Sequence, residues 1–318
     1  MPELLDRDAP TFGASTLARV VDVTVTLTGQ LLADWERAAG RGDPVDVLDD
    51  MQDLAMRVMG MVLFSRDVRN DLLAGGPDAA GAPANCFIET ARSAAEVATR
   101  RRLSPTLLPP WLPGGPHRRF RRGIAAVDRF VYGRIDERLA DPDGYDDILA
   151  DLIRGYGGLA AATAMDPRRE LRDQAVTLFF AGFETTAAAL TATWLLLGDD
   201  PAAEARFHRE LDDVLGGRAP VIDDLKALGY TGQLVRESIR THPPVYSLTR
   251  EAAPSDGIDG LADRRRGAVF ADAEIVAVLA VAGQHVRLRP LTGDPVPAGA
   301  ANAPLPASGL PMRVEPRR

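Results

Sequence analysis

Three consecutive polar side chains interrupt the most apolar stretch of the chain, and they are its best candidates for chemistry. Residues 175–198 read AVTLFFAGFETTAAALTATWLLLG, with Glu184, Thr185 and Thr186 in the middle. An acid next to a hydroxyl is what a proton-delivery site needs. A helix that is apolar on every face must be buried, and burying an unpaired carboxylate is costly. Glu184 is therefore expected where this helix meets a pocket or a cofactor.

Two other interpretations of this stretch are open. It is long enough to span a membrane, although a central glutamate and the lack of comparable segments argue against a span. It could also be an ordinary core helix in which Glu184 bonds a neighbour. The small residues Ala181 and Gly182 leave room beside the helix, and a threonine hydroxyl can bond back to an earlier carbonyl and open the helix.

A second pair of residues has a spacing that permits an ion pair. Glu237 and Arg240 stand three apart in VRESIR, which makes them neighbours on one helix face. Any helix produces such a spacing by chance, so this pair alone indicates no function.

Hydrophobic periodicity predicts the elements that position these residues. Apolar residues at helical spacing predict helices over 15–39, 46–64, 117–140, 201–215, 225–241 and 268–282. Residues 104–116 (SPTLLPPWLPGGP) read as a surface loop. Short strands are expected after Val245, with a terminal hairpin from Val286 onwards. We therefore predict one domain over 1–318, mainly α with a small β part.

Composition limits the partners and the compartment. The chain of 318 residues has a net charge of −8, which favours no nucleic acid partner. Cys86 is the only cysteine, so multi-cysteine metal sites are excluded. No signal peptide is recognisable, and we expect a cytoplasmic protein without a membrane partner. An arginine cluster at 118, 119, 121 and 122 could suit an acidic partner, but a solvated helix face is the preferred interpretation.

Taken in order along the chain, the motifs acquire a specific meaning. AGFETT at 181–186, ExxR at 237–240, THPPVYSLTREA at 241–252, GAVFADAE at 267–274 and GLPMRVEPR at 309–317 together resemble the cytochrome P450 family of haem-thiolate monooxygenases. The likeness runs from about Leu4 to Arg318. It implies a trigonal, mainly helical fold with haem b between two helices.

The resemblance also implies roles for single residues. In the family, the acid and threonine matching Glu184 and Thr185 deliver protons, and here they would be a vestigial pair. Ala181 and Gly182 would lie on the cofactor side of the same helix. Glu237 and Arg240 would lock the structural core, and an arginine matching Arg250 would hold a haem propionate.

The departures from the family bear on activity. The position of the iron-ligating cysteine, two residues before Gly267, is occupied by Arg265, which leaves no metal ligand there. Asp263 stands where an arginine is usual. Only sixteen residues separate Arg250 from Gly267, where the family carries a long meander, and the amino-terminal sheet and helices are expected to be shortened. Cys86 lies in a segment resembling a distal-side helix, so it cannot replace the ligand. The fold is therefore expected to be an incomplete cytochrome P450 fold.

These departures predict a family member that does not activate oxygen, with haem b weakly bound or absent, because that chemistry needs an axial thiolate. Whether the chain is an enzyme stays open. A redox partner would serve a working oxygenase, whereas some cysteine-free relatives are haem-free auxiliary partners of glycosyltransferases in natural-product biosynthesis. A non-functional gene remnant is the third possibility.

Overall fold

The structure is a computed structural model that describes residues 13–69, 90, 115–155, 166–245, 266–291 and 309–317. The helices are α1 Ala14–Arg41, α2 Val47–Phe64, α3 Gly115–Ala140, α4 Ile148–Gly155, α5 Pro167–Asp199, α6 Pro201–Leu215, α7 Gly229–Thr241 and α8 Arg266–His285, with a 3-10 helix at Ile222–Lys226. The strands are β1 Val45–Asp46, β2 Val286–Pro290 and β3 Pro311–Pro316. Four features of the sequence lie outside the described residues: Cys86 with the segment that resembles a distal-side helix, the greater part of the predicted loop at 104–116, Arg250 and Arg265.

Aspartates begin three of the helices by capping their free amide groups. Asp46 accepts hydrogen bonds from the backbone of Leu48 and Asp49 at the start of α2. Asp166 caps α5 just before Pro167, and Asp200 caps α6. These caps explain why α5 starts eight residues before its apolar stretch.

One predicted helix begins later than expected. The apolar spacing predicted a helix from Leu225, but a 3-10 helix ends at Lys226 and α7 starts at Gly229. The carboxylate of Glu210 accepts hydrogen bonds from the Tyr230 and Thr231 amides, and this contact from α6 sets the start of α7. Sequence spacing cannot reveal a cap that comes from another helix.

The small sheet shows how the long helices are oriented. The strand order is β1-β3-β2 with antiparallel pairing, and β2 pairs with β3 from Val286↔Pro316 to Pro290↔Met312. β1 follows α1, β2 follows α8, and Gly198 near the end of α5 lies against Leu288 and Pro290. The carboxyl ends of α1, α5 and α8 therefore meet at the sheet, and α2 leaves it in the opposite direction.

The core lies between α1, α2, α5 and α8. Trp35 of α1 meets Trp194 of α5 edge to face, with ring centroids 6.3 Å apart. On α5, Phe179 and Phe183 are buried against Phe64 and its neighbours. α5 is long and apolar enough to cross a membrane by length and composition, but 56% of its most apolar window is buried inside the protein. Most of this window therefore lies in the core of the protein.

Together, the helices and the terminal antiparallel hairpin confirm the prediction of a mainly α fold with a small β part. A single domain over 1–318 stays a prediction.

A buried ion pair ties α2, α3 and α4 together. The Arg138 guanidinium on α3 is 1% exposed and bonds the Asp147 carboxylate, which is fully buried. Arg138 also donates to the Phe64 carbonyl at the end of α2. Asp147 accepts from the Ser65 hydroxyl at 2.8 Å and from the Ala150 amide at 2.9 Å. Charge and hydrogen-bonding groups are thus matched, as a buried pair requires.

Candidate functional site

Ala181 and Thr185 lie on the same face of α5, one turn apart. The Thr185 hydroxyl donates to the Ala181 carbonyl at 2.7 Å, which is the back-bond that the sequence predicted. Ala181 is exposed and Thr185 half-buried. The hydroxyl is therefore held in place by its own helix and keeps its lone pairs for another partner.

Glu184 is half-buried beside this face. It makes no hydrogen bond or ion pair with any residue that the structure describes, and burial raises the pKa of its carboxyl above the usual value. A carboxyl that holds its proton more strongly than in water, next to an oriented hydroxyl, can give or take a proton. The structure therefore brings the predicted acid and hydroxyl together on one helix.

Gly182 and Thr186 do not open onto that face. A methyl group at Gly182 would come within 2.6 Å of the Met59 sulfur on α2, so the space predicted beside Gly182 is already filled by Met59. Thr186 is 1% exposed, and its hydroxyl has no hydrogen-bond partner among the residues that the structure describes. The Met59 side chain packs directly on Gly182, so a larger residue at this position would require Met59 to move.

Replacing Glu184 with glutamine is expected to raise the melting temperature at pH 7 and to leave it unchanged near pH 4. Because the folded-state pKa is raised, the wild-type carboxylate loses stability as pH rises through its titration, and glutamine removes that loss. Thermal unfolding of both proteins across this pH range measures the difference. A lower melting temperature for Glu184→Gln at pH 7 would show that the carboxylate has a stabilising partner.

Glu237 and Arg240 form the predicted pair, but not in the interior. Two hydrogen bonds of 2.8 and 2.7 Å join the guanidinium to the carboxylate. The side chains are 57% exposed for Glu237 and 70% exposed for Arg240, so the expected interior position is wrong. Their bond to each other lowers the pKa of Glu237. An exposed pair of this kind contributes little to stability, so a lock on the core is not its role here.

A cavity of about 380 Å³ lies beside this pair, between α5, α6 and α7. Its walls are mainly apolar and include Leu196, Tyr230 and Leu234, with Glu237 among the lining residues. Leu196 follows Glu184 by twelve residues, which is about 18 Å along a helix. The cavity is therefore distinct from the Glu184–Thr185 face.

The carboxyl with the largest pKa shift in the described part of the chain was not among the residues singled out from the sequence. Glu274 on α8 is 3% exposed, its Oε1 atom has no hydrogen-bond partner among the described residues, and burial raises its pKa to about 8. It therefore carries a proton at neutral pH. The sequence did contain a signal of the same kind as for Glu184, namely a carboxylate at an apolar stretch. Residues 275–282, directly after Glu274, are all apolar.

The donor atoms near the expected ligand position do not fit haem. Haem iron is bound in proteins by histidine, cysteine, methionine or tyrosine. α8 begins at Arg266, so Arg265 immediately precedes its first turn. A guanidinium stays protonated and offers no lone pair to a metal. Within α8 the single residue of a ligating type is His285, about 28 Å away at the other end of the helix.

Comparison with known proteins identifies the lineage. A sequence model of the family described as cytochrome P450 matches residues 8–262. Cyclooctatin synthase of Streptomyces melanosporofaciens is 36% identical over 218 residues, which are 68% of this chain and 45% of the relative. Pentalenene oxygenase of Streptomyces avermitilis is 29% identical over 223 residues, 69% of this chain and 46% of the relative.

The fold agrees with a solved structure of the same family. The crystal structure of a cytochrome P450 (CYP102L1) superposes with a TM-score of 0.73 at 19% identity, covering 98% of this chain and 80% of that one. The chain spans about half the length of the curated relatives it matches. The family match covers most of the chain, including AGFETT and ExxR. The protein belongs to the cytochrome P450 family.

Proposed function

We propose that this protein is a cytochrome P450 family member that keeps the helical core and the acid–threonine face but does not activate oxygen by haem-thiolate chemistry. The observation that carries this proposal is Arg265, which stands immediately before α8 where the resemblance expects the ligating cysteine. Without a thiolate, the electron donation that favours cleavage of the O–O bond is missing.

The lineage suggests which chemistry the chain descends from. Two relatives carry the names pentalenene oxygenase and cyclooctat-9-en-7-ol 5-monooxygenase, and both are Streptomyces proteins. We infer an ancestral oxygenase of small apolar molecules in natural-product biosynthesis. On this view Glu184 and Thr185 are retained from the ancestral proton-delivery site, and their hydroxyl–carbonyl geometry persists because it depends on α5 alone.

A working oxygenase would need a redox partner, and the proposed inactivity removes that need. The haem-free auxiliary role beside a glycosyltransferase stays a prediction, as does a cytoplasmic location. Neither is required by the position of Arg265.

Carbon monoxide difference spectroscopy tests the proposal. We expect the reduced protein, purified after expression with added haem precursor, to give no carbonyl band of the thiolate type, because residue 265 has no sulfur. Arg265→Cys is expected to stay inactive as well. A thiolate ligand needs a loop whose backbone amides donate hydrogen bonds to the sulfur. Loss of such contacts typically lowers metal affinity or activity by roughly ten- to a hundredfold. The carboxylate of Asp263 would also raise the thiol pKa.

Arg264→Cys is the matched control, since it places the same sulfur one residue away. A thiolate-type band in the wild type would refute the proposal outright. Stoichiometric haem and turnover in Arg265→Cys but not in Arg264→Cys would show that a single substitution removed the activity and that the site is otherwise complete.

A further inference from the structure

The cavity between α5, α6 and α7 has no part in the proposed function. Its volume is about 380 Å³, and mainly apolar clefts of this size are typical of small-molecule sites. All three helices contribute to its apolar lining, with Leu196 and Leu197 from α5, Ala203 from α6, and Tyr230 and Leu234 from α7. A small molecule in the cavity would therefore bury its apolar surface against three helices at once.

The charged residues that line this cavity are acidic. They are Asp200 and Glu237, and the described lining contains no lysine, arginine or histidine. Glu237 bonds Arg240, so its charge is matched. Asp200 is exposed, and its Oδ1 atom caps α6 by accepting hydrogen bonds from the Ala202 and Ala203 amides. It forms no ion pair with any residue that the structure describes, so it leaves a negative charge at the cavity.

The two helix ends that meet at Asp200 do not neutralise this charge. α5 ends at Asp199 and α6 begins at Pro201, so the negative end of one helix dipole lies beside the positive end of the other. Their partial charges oppose each other, and the charge of the Asp200 carboxylate remains. This end of the cavity therefore favours a cation and disfavours an anion.

One hydroxyl in the cavity wall retains hydrogen-bonding capacity. Ser238 of α7 lines the cavity and is fully buried. Its hydroxyl donates to the Ala189 carbonyl at 3.5 Å, which is beyond the usual length of a hydrogen bond. A buried hydroxyl with one long hydrogen bond gains from a further polar partner, and its lone pairs can accept from an N–H group.

We propose that this cavity binds a small apolar molecule that carries one protonated amine. The apolar walls take the hydrocarbon part, the Asp200 carboxylate supplies the counter-charge, and the Ser238 hydroxyl is a second acceptor in the wall. A neutral molecule would leave the Asp200 charge unused, and a carboxylic acid would meet a like charge. The site is separate from the Glu184–Thr185 face, so the proposal does not depend on the proposed loss of oxygen activation.

Isothermal titration calorimetry of the full chain with three adamantane derivatives tests the proposal. 1-Adamantylamine, 1-adamantanol and 1-adamantanecarboxylate share one rigid apolar body and differ in charge. We expect the amine to bind with a dissociation constant between about 10 μM and 1 mM. The alcohol should bind about three- to fivefold more weakly, and the carboxylate more weakly still. The preference for the amine should decrease as salt is raised.

Asp200→Asn tests the carboxylate, because asparagine caps a helix as well as aspartate does and only the charge is lost. It should weaken binding of the amine by about three- to fivefold and leave binding of the alcohol unchanged. The matched control is Asp199→Asn, which makes the same change in net charge at the preceding exposed residue, outside the lining. This control should weaken binding of the amine by less than about twofold.

A second pair of variants tests the position of the site. Ala203→Phe fills the cavity from α6 and should abolish binding of the amine and the alcohol. Ala205→Phe places the same ring at an exposed position of α6 outside the lining and should leave binding unchanged. Thermal unfolding without ligand shows whether each variant is folded, and the two aspartate variants decide alone if Ala203→Phe is not.

Four results would each overturn the proposal. They are no binding of the amine at millimolar concentration, equal binding of the three compounds, equal losses in Asp200→Asn and Asp199→Asn, and unchanged binding in a folded Ala203→Phe.

Discussion

Replacing Asp147 with alanine is expected to lower the free energy of unfolding by about 3–5 kcal/mol, because it removes the buried counter-charge of Arg138 and leaves only the partly exposed Glu137 carboxylate beside it. Arg138 has 1% of its side chain exposed, and Asp147 has none. The substitution also removes the acceptors of the Ser65 hydroxyl and the Ala150 amide. Three helices lose a common anchor at once, so this site should be among the least tolerant in the described chain.

Glu237→Ala is the matched control for this prediction. It also removes one carboxylate from an arginine pair, but that pair is exposed to solvent, where ion pairs contribute little. We expect its free energy of unfolding to stay close to the wild-type value. Urea denaturation of both variants at pH 7 measures the difference, and equal destabilisation would show that the Glu237 pair supports the core after all.

A double replacement separates charge from packing. Arg138→Met/Asp147→Leu removes both charges and keeps apolar volume, so it should recover part of the stability that Asp147→Ala loses. Recovery should be incomplete, because the Ala150 amide at the start of α4 still lacks its acceptor. If the double variant were no more stable than Asp147→Ala, the stranded charge would not be the cause of the loss.

The contrast between these two pairs shows what sequence could and could not predict. Glu237 and Arg240 stand three apart, so their contact followed from helical spacing, but spacing does not say whether a helix face is covered. Arg138 and Asp147 are nine residues apart across a loop, and nothing in that separation suggests a buried pair. Pairing within one helix is a local property. Burial depends on what the rest of the chain places over it.

In the candidate site, too, contacts within one helix could be predicted from the sequence and contacts between helices could not. The bond from Thr185 to Ala181 was predictable because it lies within one turn of α5. The position of Gly182 against Met59 was not, because it depends on how α2 approaches α5. The helices and the terminal hairpin followed from apolar periodicity, whereas the start of α7 followed from Glu210 on another helix. The residues that sequence misjudged are those whose neighbours are distant in the chain.

Glu274 should make the protein lose stability between about pH 4.5 and pH 8. Burial raises the folded-state pKa to about 8, while the unfolded carboxyl titrates near 4.5. Between these values the unfolded chain releases a proton that the folded chain keeps, so unfolding becomes more favourable as pH rises. Above pH 8 the carboxyl is ionised in both the folded and the unfolded state, and the loss of stability is complete. Below pH 4.5 it is protonated in both states, and no stability is lost.

Replacing Glu274 with methionine is therefore expected to stabilise the protein, by about 3–5 kcal/mol at pH 9 and by little at pH 4, since one pKa unit corresponds to about 1.4 kcal/mol. Methionine has a similar volume and no polar atom that needs a partner, and within the described part of the chain the Glu274 Oε1 atom has no partner to lose. Glu274→Gln should gain less, because its amide stays buried and unpaired. Glu36→Gln is the control that removes a carboxylate from an exposed position.

The pH range of the measurement separates Glu274 from a second buried carboxyl. Burial raises the pKa of Asp50 to about 6, so Asp50 causes its own loss of stability at lower pH than Glu274 does. The range from pH 6.5 to 9 therefore isolates Glu274. Urea denaturation of the four proteins across that range decides the matter. If the wild type and Glu274→Met kept a constant difference in stability there, the Glu274 carboxyl would already be ionised in the fold, and a partner for its charge would have to exist.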